Sequence, residues 1–105
     1  MGVPAVADHQ FKVPVVRRSE YTLFLEQATR HHTFIHCLVH VPWTATVKRQ
    51  LLADWQALKA LHGGPIHALH EPGDRKHHHF LTMFGFRRVT SYVDARERPM
   101  EIFST

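Results

Sequence analysis

A nine-residue segment whose side chains alternate between two faces, TFIHCLVHV at Thr33–Val41, constrains the fold more than any other part of the chain. Its period of two and its β-branched content predict a strand, which Pro42 ends. Both faces are largely apolar, as is typical of a central strand. One face carries Ile35, Cys37, Val39 and Val41, and the other carries Phe34, His36, Leu38 and His40.

A long amphipathic helix is predicted directly after this strand, over Trp43–Leu61. Thr44 is a candidate N-cap, and the Gly63-Gly64 pair provides a glycine stop. The apolar residues at helical spacing are Val47, Leu51, Trp55, Leu58 and Leu61.

The second half of the chain continues the alternation of strands and helices. Asp74 is the predicted cap of a short helix that Gly85 closes, because glycine adopts the left-handed conformation without steric cost. The predicted elements are a strand at Pro65–Glu71, a helix at Asp74–Phe84, and two strands at Phe86–Asp94 and Met100–Ser104 joined by a charged turn.

The N-terminal part contains Pro4 and Pro14 and predicts one short strand around Phe11–Val16. Proline inside that run indicates an edge strand or an extended arm. Ser19 fits an N-cap, and the following SEYTLFLEQATR is predicted as a short helix.

The predicted order is therefore β-α-β-α-β-α-β-β, an α/β fold in which helices pack on a mixed sheet. The 105 residues are enough for one domain. We expect an extended N-terminal arm over residues 1–18 and a single α/β domain over residues 19–105.

Composition excludes several classes of protein. A hydrophobic fraction of 44% is that of a folded chain, and no apolar run reaches the roughly 20 residues of a membrane span. The start MGVPAVADHQ lacks the features of a secretion signal. The single Cys37 rules out an internal disulfide and is expected to be a core residue.

A formal charge of +4 favours anionic partners weakly. Nothing resembling a recognition helix accompanies the basic residues, and charge runs are more often solvated faces. A small nucleic-acid-binding module nevertheless stays an open alternative for the function of the chain. The residues that would contact phosphates are Arg17, Arg18, Arg30, Lys48, Arg49, Arg75, Lys76, Arg87 and Arg88.

The run His77-His78-His79 predicts no metal site. Neighbouring side chains leave a helix about 100° apart, so three in a row diverge from any one ion. The i+4 partner of His77 is Leu81, and no other histidine pair has zinc-like spacing with a third ligand nearby. The segment RKHHH is therefore predicted to be a solvated helix face.

The segment FLTMFGFRRV, preceded by a strand and a Pro-Gly-Asp turn, resembles the last helix of the GNAT acyltransferase superfamily. The resemblance covers roughly residues 33–105 and implies a partial GNAT-like sheet. More narrowly, the chain is similar to small GNAT-like proteins of short-tailed phages, some of which are internal virion proteins. The shared pattern His-x-x-Phe-Leu-x-x-x-Gly is seen here as His77, Phe80, Leu81 and Gly85.

The resemblance also implies where acetyl-CoA would bind. GNAT enzymes hold its pyrophosphate on a glycine-containing loop before the long helix, where backbone N–H groups are accessible. Here that loop reads VPWTATVKRQ, without glycine. If a cofactor binds at all, the candidate residues are Trp43, Thr44, Thr46, Lys48 and Arg49.

No catalytic residue is assigned from the sequence. Leu81 stands where the family often has a general-acid tyrosine, and leucine has no proton to give. Four residues near the strand ends are candidates for a general base, and each is explained as well by an ordinary structural role in its strand. They are His36, His40, His67 and Glu71. Cys37 is a weaker candidate nucleophile, because no positively charged helix end is aimed at it.

We therefore expect a non-catalytic GNAT-like phage protein that serves virion assembly, located in the virion or the host cytoplasm and not secreted. The alternative is an atypical N-acetyltransferase that uses acetyl-CoA. Expected partners are other virion or assembly proteins, or further copies of the chain. The residues of the arm predicted to contact them are Phe11, Lys12, Val13, Arg17 and Arg18.

Overall fold

The computed structural model describes residues 12–105, which form one six-stranded mixed sheet and two helices. The sheet order is β1-β2-β3-β4-β6-β5, and only β3 and β4 pair in parallel. The elements are β1 Lys12–Arg17, β2 Tyr21–Thr29, β3 His32–Val39, α1 Ala45–His62, β4 His67–His70, α2 Arg75–Met83, β5 Arg87–Val93 and β6 Pro99–Ser104.

Both helices pack on the same face of this sheet. The indole Nε1 of Trp55 in α1 donates a hydrogen bond to the backbone carbonyl of Phe84 at the end of α2, at 2.8 Å. The predicted mixed sheet with packed helices is therefore confirmed. The buried apolar residues between sheet and helices are Tyr21, Leu23, Val47, Leu51, Trp55, Leu58, Ile66, Ala68, Leu81, Phe84, Phe86 and Phe103.

The ends of α1 are the predicted ones. The hydroxyl of Thr44 accepts a hydrogen bond from the N–H of Val47, and Gly63 ends the helix with a φ of 77°. The predicted core position Leu61 is wrong, since its side chain is 86% exposed. Leu61 lies in the last turn of α1, one residue before the helix ends at His62.

The short helix α2 also begins and ends as predicted. The Asp74 carboxylate accepts from the N–H of His77, and Gly85 follows the helix with a φ of 90°. Leu81 and Phe84 are buried against the sheet, and Phe80 packs against the same core.

The predicted helix after Ser19 is wrong, because Tyr21–Thr29 forms the strand β2. Its alternate residues Tyr21 and Leu23 face the helices and stand opposite Val39 and Cys37 of β3. The neighbouring Phe24 is also apolar, and this gave the segment a false helical spacing.

Strand β1 is an edge strand of the sheet and pairs with β2, so the edge-strand interpretation of the N-terminal segment is confirmed. Its register shifts between Pro14 and Val16. Phe11 lies outside the described residues. The division into residues 1–18 and 19–105 stays a prediction.

A polar network joins this N-terminal part to α1. The guanidinium of Arg18 donates two hydrogen bonds to the Asp54 carboxylate, at 2.5 and 2.8 Å. The hydroxyl of the fully buried Tyr21 donates to the same carboxylate. The hydrogen bond from Arg18 is the main cause that lowers the pKa of Asp54, whereas burial and then Asp54 raise the pKa of Tyr21.

We expect Asp54→Asn to lower the free energy of unfolding by about 1–2 kcal/mol at pH 7, because the buried Tyr21 hydroxyl and Arg18 lose a charged acceptor while solvent screens part of the ion pair. Because the pKa of Asp54 is lower in the folded state, this stabilisation is complete above about pH 4 and is lost as the pH falls through the folded pKa. Urea unfolding at pH 7 and pH 3 measures it. A gap between wild type and variant that does not shrink at pH 3 would contradict the electrostatic origin.

The sheet face opposite the helices is also largely apolar. Strand alternation and register place on it a set of side chains that carry no helix above them. They are Phe24, Phe34, Leu38, Leu69 and Ile102. We call this surface the open face.

Within residues 12–105, no helix is long and apolar enough to cross a membrane.

Candidate functional site

The sheet is joined across its centre by a single residue pair. Phe34 of β3 stands opposite His67 of β4, and no further pair of these two strands is in register. Strands β2 and β3, in contrast, are paired along eight positions. Beyond the Phe34–His67 pair, the facing edges of β3 and β4 therefore diverge and leave a gap in the sheet.

A cavity of about 380 Å³ fills this gap and extends under both helices. We call it the seam cleft. Its inner wall on the helix side is formed by Leu23, Leu51, Trp55, Leu81, Phe84 and Phe86. Residues of both sheet faces line it, Cys37 and Ala68 from the helix side and His36 and Leu69 from the open face. The seam cleft therefore runs through the sheet.

Cys37 lies on the strand side of the seam cleft and is exposed, which corrects its prediction as a core residue. Apolar atoms around the sulfur nevertheless raise the pKa of the thiol to about 11, because they leave a thiolate poorly solvated. At neutral pH the side chain is a thiol and a poor nucleophile.

His36 provides a basic group where the seam cleft meets the open face. Its Nε2 lies 2.7 Å from Oε1 of Glu26 on the neighbouring strand. Glu26 stands opposite Phe34 in the register, so Glu26 and His36 are diagonal neighbours on one sheet face. A carboxylate that holds one imidazole nitrogen fixes the tautomer and leaves the other nitrogen free to take up a proton.

A second histidine pair lies on the helix side. Nδ1 of His77, which lines the seam cleft, is 2.9 Å from Nδ1 of His70, whose side chain is only 2% exposed. Nε2 of His70 lies 3.8 Å from Oε1 of Glu101. Burial, followed by the neighbouring His70, lowers the pKa of His77. The predicted solvated face is therefore wrong for His77, whereas His79 is exposed as expected.

The five candidate cofactor-binding residues lie together at the N-terminal end of α1, as their sequence order requires. Trp43 is 44% exposed, and its ring centroid is 5.9 Å from that of Phe80, which lines the seam cleft. Trp43 therefore borders the mouth of the cleft. Thr44 caps the helix, Lys48 is half-buried, and Thr46 and Arg49 are exposed.

Only one of the four predicted base residues lines the seam cleft. His36 does so, whereas the ring of His40 bonds to the hydroxyl of Thr22 at 3.0 Å. His67 packs against the ring of Phe34, and Glu71 is exposed. In the described part of the chain, no group of three histidine, cysteine or acidic residues is placed to hold a metal ion.

Sequence reasoning missed two features of this site. The partner of His77 is His70, seven residues earlier on β4, and only the packing of α2 on the sheet brings them together. The Glu26–His36 contact was hidden because Tyr21–Thr29 was predicted as a helix. A hairpin reading of residues 21–39 would have placed them on one face.

Comparison with solved structures identifies the fold. The chain is similar to ribosomal-protein-S5-alanine acetyltransferase from Vibrio fischeri, with a TM-score of 0.61 and 18% identity. It is also similar to a GNAT-family acetyltransferase from Bacillus anthracis, with a TM-score of 0.63 and 10% identity. A third similar structure is RimJ of Mycobacterium smegmatis in complex with CoA-disulfide, with a TM-score of 0.58 and 16% identity. Each alignment covers 81% of this chain.

The chain therefore has part of the fold of GNAT-family acetyltransferases. The chain spans about half the length of these structures, at 52%, 57% and 46%. No protein-family model and no curated protein sequence matches it. The narrower resemblance to phage virion proteins, the assembly partners and the nucleic-acid alternative stay predictions.

Proposed function

We propose that this chain binds an acyl-CoA thioester in the seam cleft and transfers its acyl group to an amine. The observation that carries the proposal is the open seam between β3 and β4, where a parallel pair separates after one residue pair to admit a ligand. This reverses the expectation of a non-catalytic protein, which rested on the missing glycines and on Leu81.

The residues of the seam fit the acyl end of such a ligand. The pantetheine arm carries amide groups that need hydrogen-bond partners, and the diverging edges of β3 and β4 present backbone N–H and C=O groups for them. The apolar helix-side wall suits the acyl group itself.

The phosphates would lie at the N-terminus of α1, where the first-turn N–H groups other than that of Val47, which Thr44 caps, have no partner inside the helix. Lys48 lies in this first turn, Arg49 follows it, and both supply positive charge. Trp43, beside Phe80 at the mouth, offers a flat surface to the rest of the nucleotide.

In this proposal a bound acyl-CoA supplies an acyl group activated as a thioester. His36, held by Glu26, accepts the proton that the amine nitrogen loses when it bonds to the acyl carbon. His36 then returns this proton to the sulfur as the carbon–sulfur bond breaks. One imidazole thereby serves as base and acid, and no tyrosine is needed at position 81.

Calorimetric titration tests the binding step. We expect acetyl-CoA and CoA to bind, and the double variant Lys48→Glu, Arg49→Glu to weaken both by about tenfold, because it reverses two charges beside the phosphates. Acetyl-pantetheine, which lacks the phosphates, is the matched control and should bind wild type and variant equally. The absence of both heat and a thermal shift with CoA and with acetyl-CoA at millimolar concentration would contradict the proposal.

A further inference from the structure

The seam cleft is larger and more apolar than an acetyl group requires. A cavity of about 150 Å³ lined by Leu, Ile and Phe holds a benzene ring, or about 25 Å³ per carbon. At that ratio the 380 Å³ of the seam cleft correspond to roughly fifteen carbon-sized atoms. An acetyl group has only three heavy atoms.

Few of the side chains that line the cleft are polar. Cys37 and His36 lie on β3, and His77 lies at the start of α2. Among the six residues named above as the inner wall, the one side-chain polar group is Nε1 of Trp55, and its proton is already donated to the carbonyl of Phe84. A polar ligand atom placed under the helices would therefore lose its hydrogen bonds to water without replacement.

The strand edges of the cleft and the apolar space under its helices suit different parts of a thioester ligand. Amides of the pantetheine arm find backbone partners along the diverging edges of β3 and β4. The space between Leu51, Trp55 and Phe86 is lined mainly by apolar atoms and suits hydrocarbon. The acyl chain must therefore point inward under the helices, away from the strand edges.

We infer that the acyl donor of this chain is a CoA thioester of a medium-length hydrocarbon acid, about six to ten carbons long, and not acetyl-CoA. This inference rests on the proposed function. The lower bound of about six carbons is the shortest acyl chain that we expect to reach beneath α1 and α2. The upper bound of about ten carbons is the part of the cleft, which holds roughly fifteen atoms in all, that is left once the sulfur end of the pantetheine arm occupies its share.

The test is a calorimetric series with free CoA and the acetyl, butyryl, hexanoyl, octanoyl and dodecanoyl thioesters on the full chain. Each buried methylene contributes about a fourfold gain in affinity. Hexanoyl-CoA should therefore bind about 200-fold more tightly than acetyl-CoA, with four more methylenes. The gain should stop before dodecanoyl-CoA.

Two flat outcomes are distinguishable. If CoA and all thioesters bind within threefold of one another, the seam cleft does not hold the acyl chain, and this inference is overturned while the proposed function stands. If neither CoA nor any thioester binds, both are overturned. A gain that continues undiminished to dodecanoyl-CoA also overturns the inference, because it indicates adsorption to an unbounded apolar surface.

A variant locates the effect in the seam cleft. Ala68 lies on β4 in the cleft lining and is 3% exposed, so Ala68→Val narrows the cavity by two methyl groups with a residue that strands favour. We expect it to weaken octanoyl-CoA about tenfold and acetyl-CoA less than threefold. Ala28→Val, the same change at an exposed position of β2, should leave both unchanged. Equal loss for both ligands in Ala68→Val would overturn the inference, and if this variant does not fold the wild-type series decides alone.

Discussion

Replacing His36 with Gln is expected to lower kcat for acyl transfer by about 100-fold, because a positioned proton acceptor contributes about 10²–10⁴ to the rate. The affinity for the acyl-CoA should stay within threefold of wild type, since glutamine keeps the volume and a polar end. The assay follows release of CoA thiol with a set of primary amines as acceptors.

Two variants serve as controls for His36→Gln. His40→Gln changes a histidine of the same sheet face, four residues along, which bonds to Thr22 and does not line the seam cleft. It should retain full activity. Glu26→Gln should lower kcat about tenfold with little change in KM, as expected for a positioning residue. Equal losses in the His36 and His40 variants would contradict the assignment.

Replacing Trp55 with Ala is expected to lower the free energy of unfolding by about 3–5 kcal/mol. The indole is 3% exposed, stacks on Phe86 with ring centroids 5.1 Å apart, and donates its N–H to Phe84. It thereby ties α1 to the end of α2 and to the start of β5. Such a loss is a large share of the 5–15 kcal/mol that holds an ordinary domain together.

Urea unfolding followed by circular dichroism measures this loss. The matched control is Leu61→Ala, which removes an apolar side chain from the same helix at an 86% exposed position and should cost less than about 0.5 kcal/mol. A loss below about 1 kcal/mol for Trp55→Ala would show that the wall of the seam cleft carries little of the packing energy.

The second half of the fold could be predicted from the sequence because its signals are local. Thr44 and Asp74 cap the starts of the two helices, and Gly63 and Gly85 follow their ends. Each of these signals lies within one turn of the helix that it bounds, so neighbouring residues in the sequence are enough to predict it. The segment Tyr21–Thr29 could not, because its apolar Phe24 lies on the open face. A sheet with two apolar faces removes the alternation that distinguishes a strand from a helix.

The candidate site was predictable only where its residues follow one another along the chain. Trp43 and Lys48 were placed correctly at the start of α1, because chain order alone puts them after β3. The His70–His77 contact and the separation of β3 from β4 depend on how distant segments pack. No local spacing encodes them.

The single bridging pair between β3 and β4 makes the sheet two antiparallel trios, one formed by the first three strands and the other by the last three. Backbone ladders hold each trio together, so rigidity between the trios depends on α1 and α2, which lie across the join. The two helices therefore hold the two trios in place relative to each other. Widening the join at the centre breaks none of the antiparallel ladders and changes instead the packing of α1 and α2 on the sheet.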